Sequence, residues 1–149
     1  MSRSRRIQPI ANLAAHHEKE ATKQLGETQA RLDDQEKLLD DLEQYHAEYT
    51  TANVMSHEAT ADPVRLQDYR LFLDRLEHAI VRQHQLIARL RDEFAESHSQ
   101  WAERRTHRKA LDNATDRYAQ AEQRTEDRRE QEQIEEVSAL LRTRKPITS

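Results

Sequence analysis

The segment 62-DPVRLQDYRLFLDRLEHAIVRQHQLIARLRDEFAESHSQW-101 decides the fold of this chain. Apolar residues recur in it at every seventh position, and further large side chains follow three residues after them, which is the a/d pattern of a coiled-coil helix. The a positions are Leu66, Leu73, Ile80, Ile87, Phe94 and Trp101, and the d positions include Tyr69, Leu76, Gln83 and Leu90. This unbroken apolar series predicts one long helix rather than a disordered chain.

A weaker a/d seam precedes this segment. Its two series are Leu25, Leu32 and Leu39, and Ala21, Thr28, Gln35, Leu42 and Tyr49. Between the two seams, Asp62-Pro63 combines a helix N-cap with a proline at the first helical position, where its missing N–H costs nothing. We therefore expect helix one at about 10–57, a hinge at 58–62 and helix two at about 63–142, in a single coiled-coil domain of residues 1–149 with short flexible termini.

The short connection predicts how the two helices pair. A short turn makes neighbouring helices antiparallel, and a turn near residue 61 pairs positions whose numbers sum to about 122. The facing pairs are Tyr49/Leu73, Leu42/Ile80, Leu32/Leu90, Thr28/Phe94, Ala21/Trp101 and Glu18/Arg104. Large rings then meet small partners, as a thin core requires. The predicted fold is all-α, a monomeric, long antiparallel two-helix coiled-coil hairpin with helix two overhanging.

The composition of the chain argues against most kinds of catalytic site. The chain has 149 residues, 35% of them charged, a formal net charge of −4, a single Gly and no Cys. One glycine, Gly26, cannot build a phosphate-binding loop, and without cysteine there is no thiol catalysis. The eight histidines show no metal-ligand spacing, and no apolar run is long enough to span a membrane. We expect no enzyme activity, no cofactor or metal, no nucleic-acid partner and no membrane insertion.

A lateral apolar patch lies beside the seams near the hinge. In an antiparallel coiled coil the g positions of both helices border the same side, and here they are Leu38, Tyr45, Phe72, Ala79 and Leu86. Positions next to a seam are usually charged, so a bounded apolar patch indicates a docking site for another protein. The alternatives are a third helix of a homo-oligomer, or the free end of helix two folding back onto the patch.

The overhang of helix two carries a second apolar face. It is expected from about Asp116 to Arg142, with Ile134, Val137 and Leu141 at helical spacing. An isolated helix is marginally stable, so a partner is expected to complete this face, and a frayed terminal segment is the alternative.

Three stretches carry a family resemblance. They are LDDLEQYHAEYTTA at 39–52, LQDYRLFLDRLEHAIVRQHQLI at 66–87 and SQWAERRTHRKALD at 99–112. Together, from about Leu13 to the RKP at 144–146, the chain resembles the flagellar export protein FliJ family. The resemblance implies a two-helix coiled coil of the flagellar type III export apparatus, similar to the rotary stalk of F-type ATPases. It also implies partners: the hexameric export ATPase FliI, the export gate protein FlhA and export chaperones.

The resemblance assigns residues to these partners. The positions that align with the gate-binding surface of the family are Leu42, Tyr45, Tyr49, Phe72, Leu76 and Ala79. With Leu38 and Leu86 from the heptad positions they form what we call the gate patch. The central channel of the ATPase hexamer is the expected partner of Ile134, Val137 and Leu141, which we call the overhang stripe. The implied location is the cytoplasm, peripherally associated with the export gate of the inner membrane.

Two rival interpretations stay open at this stage. The equivalent stalk of a virulence type III secretion system has the same shape, and the spacing of Tyr and Phe weighs against it. A structural coiled-coil dimer would have a parallel seam that continues through the hinge, and Asp62-Pro63 weighs against that.

Overall fold

Two long helices make up the fold of the computed structural model. They are α1, Arg3–Ser56, and α2, Pro63–Thr143. The structure describes residues 2–56 and 62–144, without the side chains of 53–56, and contains no strand in these ranges. The two helices pack against each other as a hairpin, so the predicted all-α coiled-coil fold is confirmed. The predicted hinge falls on residues 58–61, outside the described part, and on Asp62.

Asp62 begins α2 as the sequence predicts. Its Oδ1 accepts a hydrogen bond from the backbone N–H of Val64 at 3.1 Å, and its carbonyl accepts from Leu66 at 3.1 Å. Pro63 follows as the first helical residue, where a fixed φ favours the helix. The cap and the proline together set the N-terminus of α2.

The start of α1 differs from the prediction. The helix begins at Arg3 and not near residue 10, and it runs through Pro9. Ser2 caps it, because its Oγ accepts from the N–H of Arg5 at 3.3 Å and its carbonyl accepts from Arg6 at 3.1 Å. Contacts with α2 described below hold this first turn, so the missing N–H of Pro9 does not end the helix.

The chain divides into two compact units. The hinge unit is Glu20–Ala102, and the terminal unit is Met1–Lys19 together with Glu103–Ser149. In the described residues of each, a segment of α1 packs antiparallel against a segment of α2. The single-domain organisation stays a prediction.

The core of the hinge unit lies where the seams predict it. Leu32, Ile87 and Leu90 are buried, and Leu39, Leu86 and Phe94 pack against them. All the predicted a and d positions of α2 are buried or half-buried. One buried layer is polar, since the Nε2 of Gln83 donates to the carbonyl of Gln35 at 2.9 Å and to its Oε1 at 2.8 Å. This layer pairs the two side chains across the helices and favours a single register.

Polar contacts join the helices of the terminal unit. Glu18 forms an ion pair with Arg108, one helical turn beyond the predicted partner Arg104, and Arg108 also binds Asp112 at 2.9 Å. The hydrogen bonds to Glu18 and then to Asp112 raise the pKa of Arg108. The prediction of Glu18 facing Arg104 was therefore one turn short, because the reach of a long side chain is not set by register alone.

The N-terminal turn of α1 reaches further along α2 than predicted. The N–H of Ser4 donates to the Oε1 of Glu122 at 3.0 Å, and its Oγ donates to Oε2. The guanidinium of Arg3 lies 5.9 Å from the ring centroid of Tyr118. The predicted overhang from about Asp116 is therefore wrong at its start. The two helices pair as far as Glu122 because α1 begins at Arg3, and the overhang follows Glu122.

Removing the hydroxyl of Ser4 tests this pairing. The two hydrogen bonds from Ser4 lower the pKa of Glu122. A lowered folded-state pKa contributes stability above the unfolded pKa, and this stability is lost as the pH falls through the folded value. Ser4→Ala is expected to raise the pKa of Glu122 toward its ordinary value in an NMR titration of the side-chain carboxyl. Thr125→Ala, whose hydroxyl bonds its own helix at Ala121, is the control. An unchanged pKa in Ser4→Ala would contradict the contact.

Candidate functional site

The gate patch lies entirely in the hinge unit, and its residues differ in exposure. The exposed members are Leu38, Tyr45, Tyr49 and Phe72, and the half-buried ones are Leu42, Leu76, Ala79 and Leu86. Tyr45, at 55%, is the most exposed of the large members. Leu86 packs against the core cluster, so the patch is continuous with the core of the hinge unit. Four members of the patch are therefore accessible from solvent, and the other four are partly covered.

An aromatic pair joins the two helices at the patch. The rings of Tyr49 and Phe72 lie 4.9 Å apart between centroids and are tilted by 58°. Such tilted pairs contribute about 0.5–1.5 kcal/mol beyond their buried area. The pair fixes two rings of the patch across the helix–helix boundary while both stay exposed.

Tyr69 is a positioning residue that the sequence analysis assigned only to the seam. Its hydroxyl donates to the backbone carbonyl of Tyr49. Burial, followed by the neighbouring Tyr49, raises the pKa of Tyr69. The sequence feature that could have predicted this bond is a tyrosine at a d position, since a buried Tyr hydroxyl usually finds a hydrogen-bond partner. Tyr69 thus ties α2 to the α1 turn that carries Tyr49.

Polar and charged groups border the patch. A surface groove of about 330 Å³ beside Tyr45 is lined by Asp41, Gln44 and Glu48. Two histidine–carboxylate pairs also span the helices, His46–Glu77 at 3.1 Å and His84–Glu43 at 3.3 Å, but Glu77, His84 and Glu43 occupy e positions, on the side of the seam opposite the patch. An apolar centre with a polar border is the usual layout of a protein–protein docking site.

The overhang stripe is exposed in the terminal unit. Ile134, Val137 and Leu141 are 61%, 56% and 65% exposed, and Leu140, which the sequence analysis missed, is 65% exposed. In the heptad numbering of α2 the three stripe residues occupy f and b positions, away from the a/d seam. They therefore do not continue the seam that faces α1. Leu140 occupies an e position three residues after Val137, so it widens this apolar surface toward the a/d seam.

Neither a metal-binding cluster nor a membrane-spanning helix is found in the described residues. No group of three His, Asp or Glu in this part of the chain is placed to hold a metal ion. Within residues 2–56 and 62–144, no helix has the length and apolarity needed to cross a membrane.

Comparison with known proteins identifies one family. Residues 3–146 match the family model described as the flagellar FliJ protein. The comparisons with curated proteins and with solved structures gave no match.

Proposed function

We propose that this chain, which belongs to the flagellar FliJ family, is a stalk and adaptor that links the hexameric export ATPase FliI to the export gate protein FlhA. The family is non-enzymatic and is related to flagellar export. The observation that carries the proposal is the presence of two exposed apolar surfaces on one pair of helices, the gate patch in the hinge unit and the overhang stripe in the terminal unit.

The gate patch is the proposed contact with FlhA. Tyr45 and Phe72 are half exposed, so a partner can bury much of both rings. Tyrosine is frequent among the residues that dominate binding energy, because its ring supplies contact area while its hydroxyl makes a hydrogen bond. Asp41 and Glu48 beside Tyr45 favour a partner surface with basic residues at its edge.

The overhang stripe is the proposed contact with the ATPase hexamer. Its three apolar side chains lie beyond the hydrogen bonds between Ser4 and Glu122, and they face away from the seam. A partner can therefore cover the stripe without displacing α1. Binding that is specific for the assembled hexamer favours assembly and so increases ATP hydrolysis at low enzyme concentration.

The ATPase proposal is tested by replacing the stripe with serine. The variant Ile134→Ser, Val137→Ser, Leu141→Ser is expected to require about tenfold more chain, or more, for half-maximal stimulation of FliI, since burial of each large apolar side chain contributes about 1.5–3 kcal/mol. Turnover is measured at limiting enzyme.

The matched control makes the same kind of substitution, apolar residue to serine, at three other positions of α2. Val64→Ser, Leu71→Ser, Val81→Ser removes three exposed apolar residues of α2 outside the stripe and the gate patch. A chain ending at Thr125 retains the Ser4–Glu122 contact and should behave like the stripe variant. Equal stimulation by the stripe variant and the wild-type chain would refute the stalk role of this segment.

Two further roles belong to the same proposal. The chain binds export chaperones and returns them for a new round of export, as the family resemblance implies. It works in the cytoplasm, held at the inner membrane only through the export gate. A pull-down of chaperones with the full chain, with and without the gate domain, tests whether the gate and the chaperones compete.

A further inference from the structure

Over residues 3–17 of α1 and 107–128 of α2, one side of the terminal unit carries basic residues and no acidic ones, and Glu103 and Glu135 lie on the same side just outside this stretch. The residues concerned occupy the g and c positions of both helices, which border the same side of an antiparallel seam. On α1 they are Arg3, Arg6, Ile10, Leu13 and His17, and on α2 His107, Ala110, Ala114, Arg117, Ala121, Arg124 and Arg128. We call this set the basic face. The e and b positions on the other side include Asp112, Asp116 and Glu126. The same e and b positions also hold Lys19 and Lys109, so the other side carries both signs of charge and only the basic face carries one.

The arginines of the basic face are available to a partner. Arg6, Arg117, Arg124 and Arg128 are exposed, and none of them forms an ion pair with a described carboxylate. Arg108, in the adjacent seam, differs because two carboxylates bind it. Exposed guanidinium groups that no internal acid neutralises attract and orient an acidic partner.

The centre of the basic face is apolar. Ile10 and Leu13 are each 54% exposed and lie one turn apart on α1. Ile10 and Ile7, with Arg3, Arg6 and Tyr118, line a surface groove of about 350 Å³. On the α2 side the g positions are Ala114 and Ala121, whose small side chains leave room for another helix to approach. The face is thus a groove between two helices, with arginines at its edges.

We propose that the basic face binds an acidic amphipathic helix of a partner protein, laid parallel to α1. The spacing of Arg3, Arg6, Ile10 and Leu13 defines the pattern of side chains that this partner helix needs. It carries acidic residues at positions i and i+3 and apolar residues at positions i+7 and i+10. Such a helix places its acids against the arginines and its apolar pair against Ile10 and Leu13. The gate patch and the overhang stripe share no residue with this surface, so the inference goes beyond the adaptor function.

The apolar centre decides against other anionic partners. A phosphate backbone would bind the arginines but leave Ile10 and Leu13 uncovered. A bilayer surface would touch the protruding side chains and leave the alanine-lined groove unfilled. A helix fills the groove and pairs with both edges. The overhang of a second copy has the same pattern, at Asp127, Glu130, Ile134 and Val137, but its stripe is assigned to the ATPase.

The probe for the test is a designed helical peptide of alanine and glutamine that carries two glutamates and two leucines at the spacing above. Its binding to the full chain is followed by fluorescence anisotropy. Two variants, Arg3→Glu with Arg6→Glu and Ile10→Ser with Leu13→Ser, are each expected to weaken binding about tenfold or more. A peptide with lysines in place of the glutamates should bind the wild-type chain more weakly and the Arg→Glu variant more tightly.

The control for the Arg→Glu variant makes the same change of charge on the side of the terminal unit opposite the basic face. Lys19→Glu with Lys109→Glu alters two exposed b positions of the same unit and should change binding less than about twofold. No binding of the peptide, or equal loss in the control, overturns the proposal. A second result would also overturn it: the chain binds phosphatidylglycerol vesicles or duplex DNA but not the peptide, and the arginine variant loses that binding. Sedimentation of a dimer that the same variants abolish would assign the face to a second copy and also overturn it.

Discussion

Replacing Tyr45 and Phe72 together with alanine is expected to weaken binding to the gate protein FlhA on the order of a hundredfold or more, because removing an anchor ring from a docking centre costs about 2 kcal/mol or more. Both rings are exposed in the free chain, and neither belongs to the buried cluster of the hinge unit. Helicity should therefore stay nearly unchanged. Calorimetric titration with the cytoplasmic domain of FlhA measures the loss, and circular dichroism measures the helicity.

Val64→Ala with Val81→Ala is the matched control for this experiment. Both residues are exposed and apolar, lie on α2 and are outside the gate patch. The control should bind FlhA as the wild-type chain does. Phe72 contacts Tyr49, so a small loss of stability is expected in the ring variant. A loss of thermal stability as large as the loss of binding free energy would assign the two rings to the core and refute the docking site.

Replacing Ile87 with alanine is expected to lower the free energy of unfolding by about 2–5 kcal/mol, since it removes buried methyl groups and leaves a cavity. Ile87 is 2% exposed and lies between Leu32 and Leu90. A core of two helices has few other layers, so this loss is a large part of the total. Urea unfolding followed by circular dichroism gives the free energy.

The comparison for Ile87 is Val81, on the same helix. Val81 is 56% exposed, so Val81→Ala should change the free energy of unfolding by less than about 0.5 kcal/mol. Equal effects of the two substitutions would mean that Ile87 does not form the core of the hinge unit.

Apolar periodicity predicted the hinge unit well because its seams are apolar. Each a residue from Leu66 to Trp101 is buried or half-buried, as the repeat required. Beyond Trp101 the same a positions are Arg108, Thr115 and Glu122, so hydrophobic spacing gives no signal there. Among its described residues, the terminal unit buries only the small residues Ala11 and Ala14 of α1, and it adds ion pairs and hydrogen bonds whose partners depend on side-chain reach. For that reason the start of α1 at Arg3 and the contact of Ser4 with Glu122 were missed.

The sequence likewise predicted some features of the gate patch and missed others. Heptad position alone identified Tyr45 and Phe72 as lateral, and both are exposed. It also placed Leu86 at a g position, yet Leu86 packs against the core. Position within a heptad sets direction, whereas burial depends on how closely the neighbouring helix approaches. The bond from Tyr69 to the carbonyl of Tyr49 depends on the same distance, so the repeat could not predict it.

The ion pair and hydrogen bonds of the terminal unit make its local opening sensitive to conditions. The protection factors of α1 amides near Ser4 and Glu18 against hydrogen exchange should fall with added salt or acid, because salt screens the pair with Arg108 and protonation of Glu122 weakens the hydrogen bonds that it accepts. Amides around Leu32, which pack against Ile87, should stay protected under the same conditions. The first turns of α1 are then expected to detach while the core of the hinge unit stays folded, so a change of ionic strength would open one unit and leave the proposed gate patch intact.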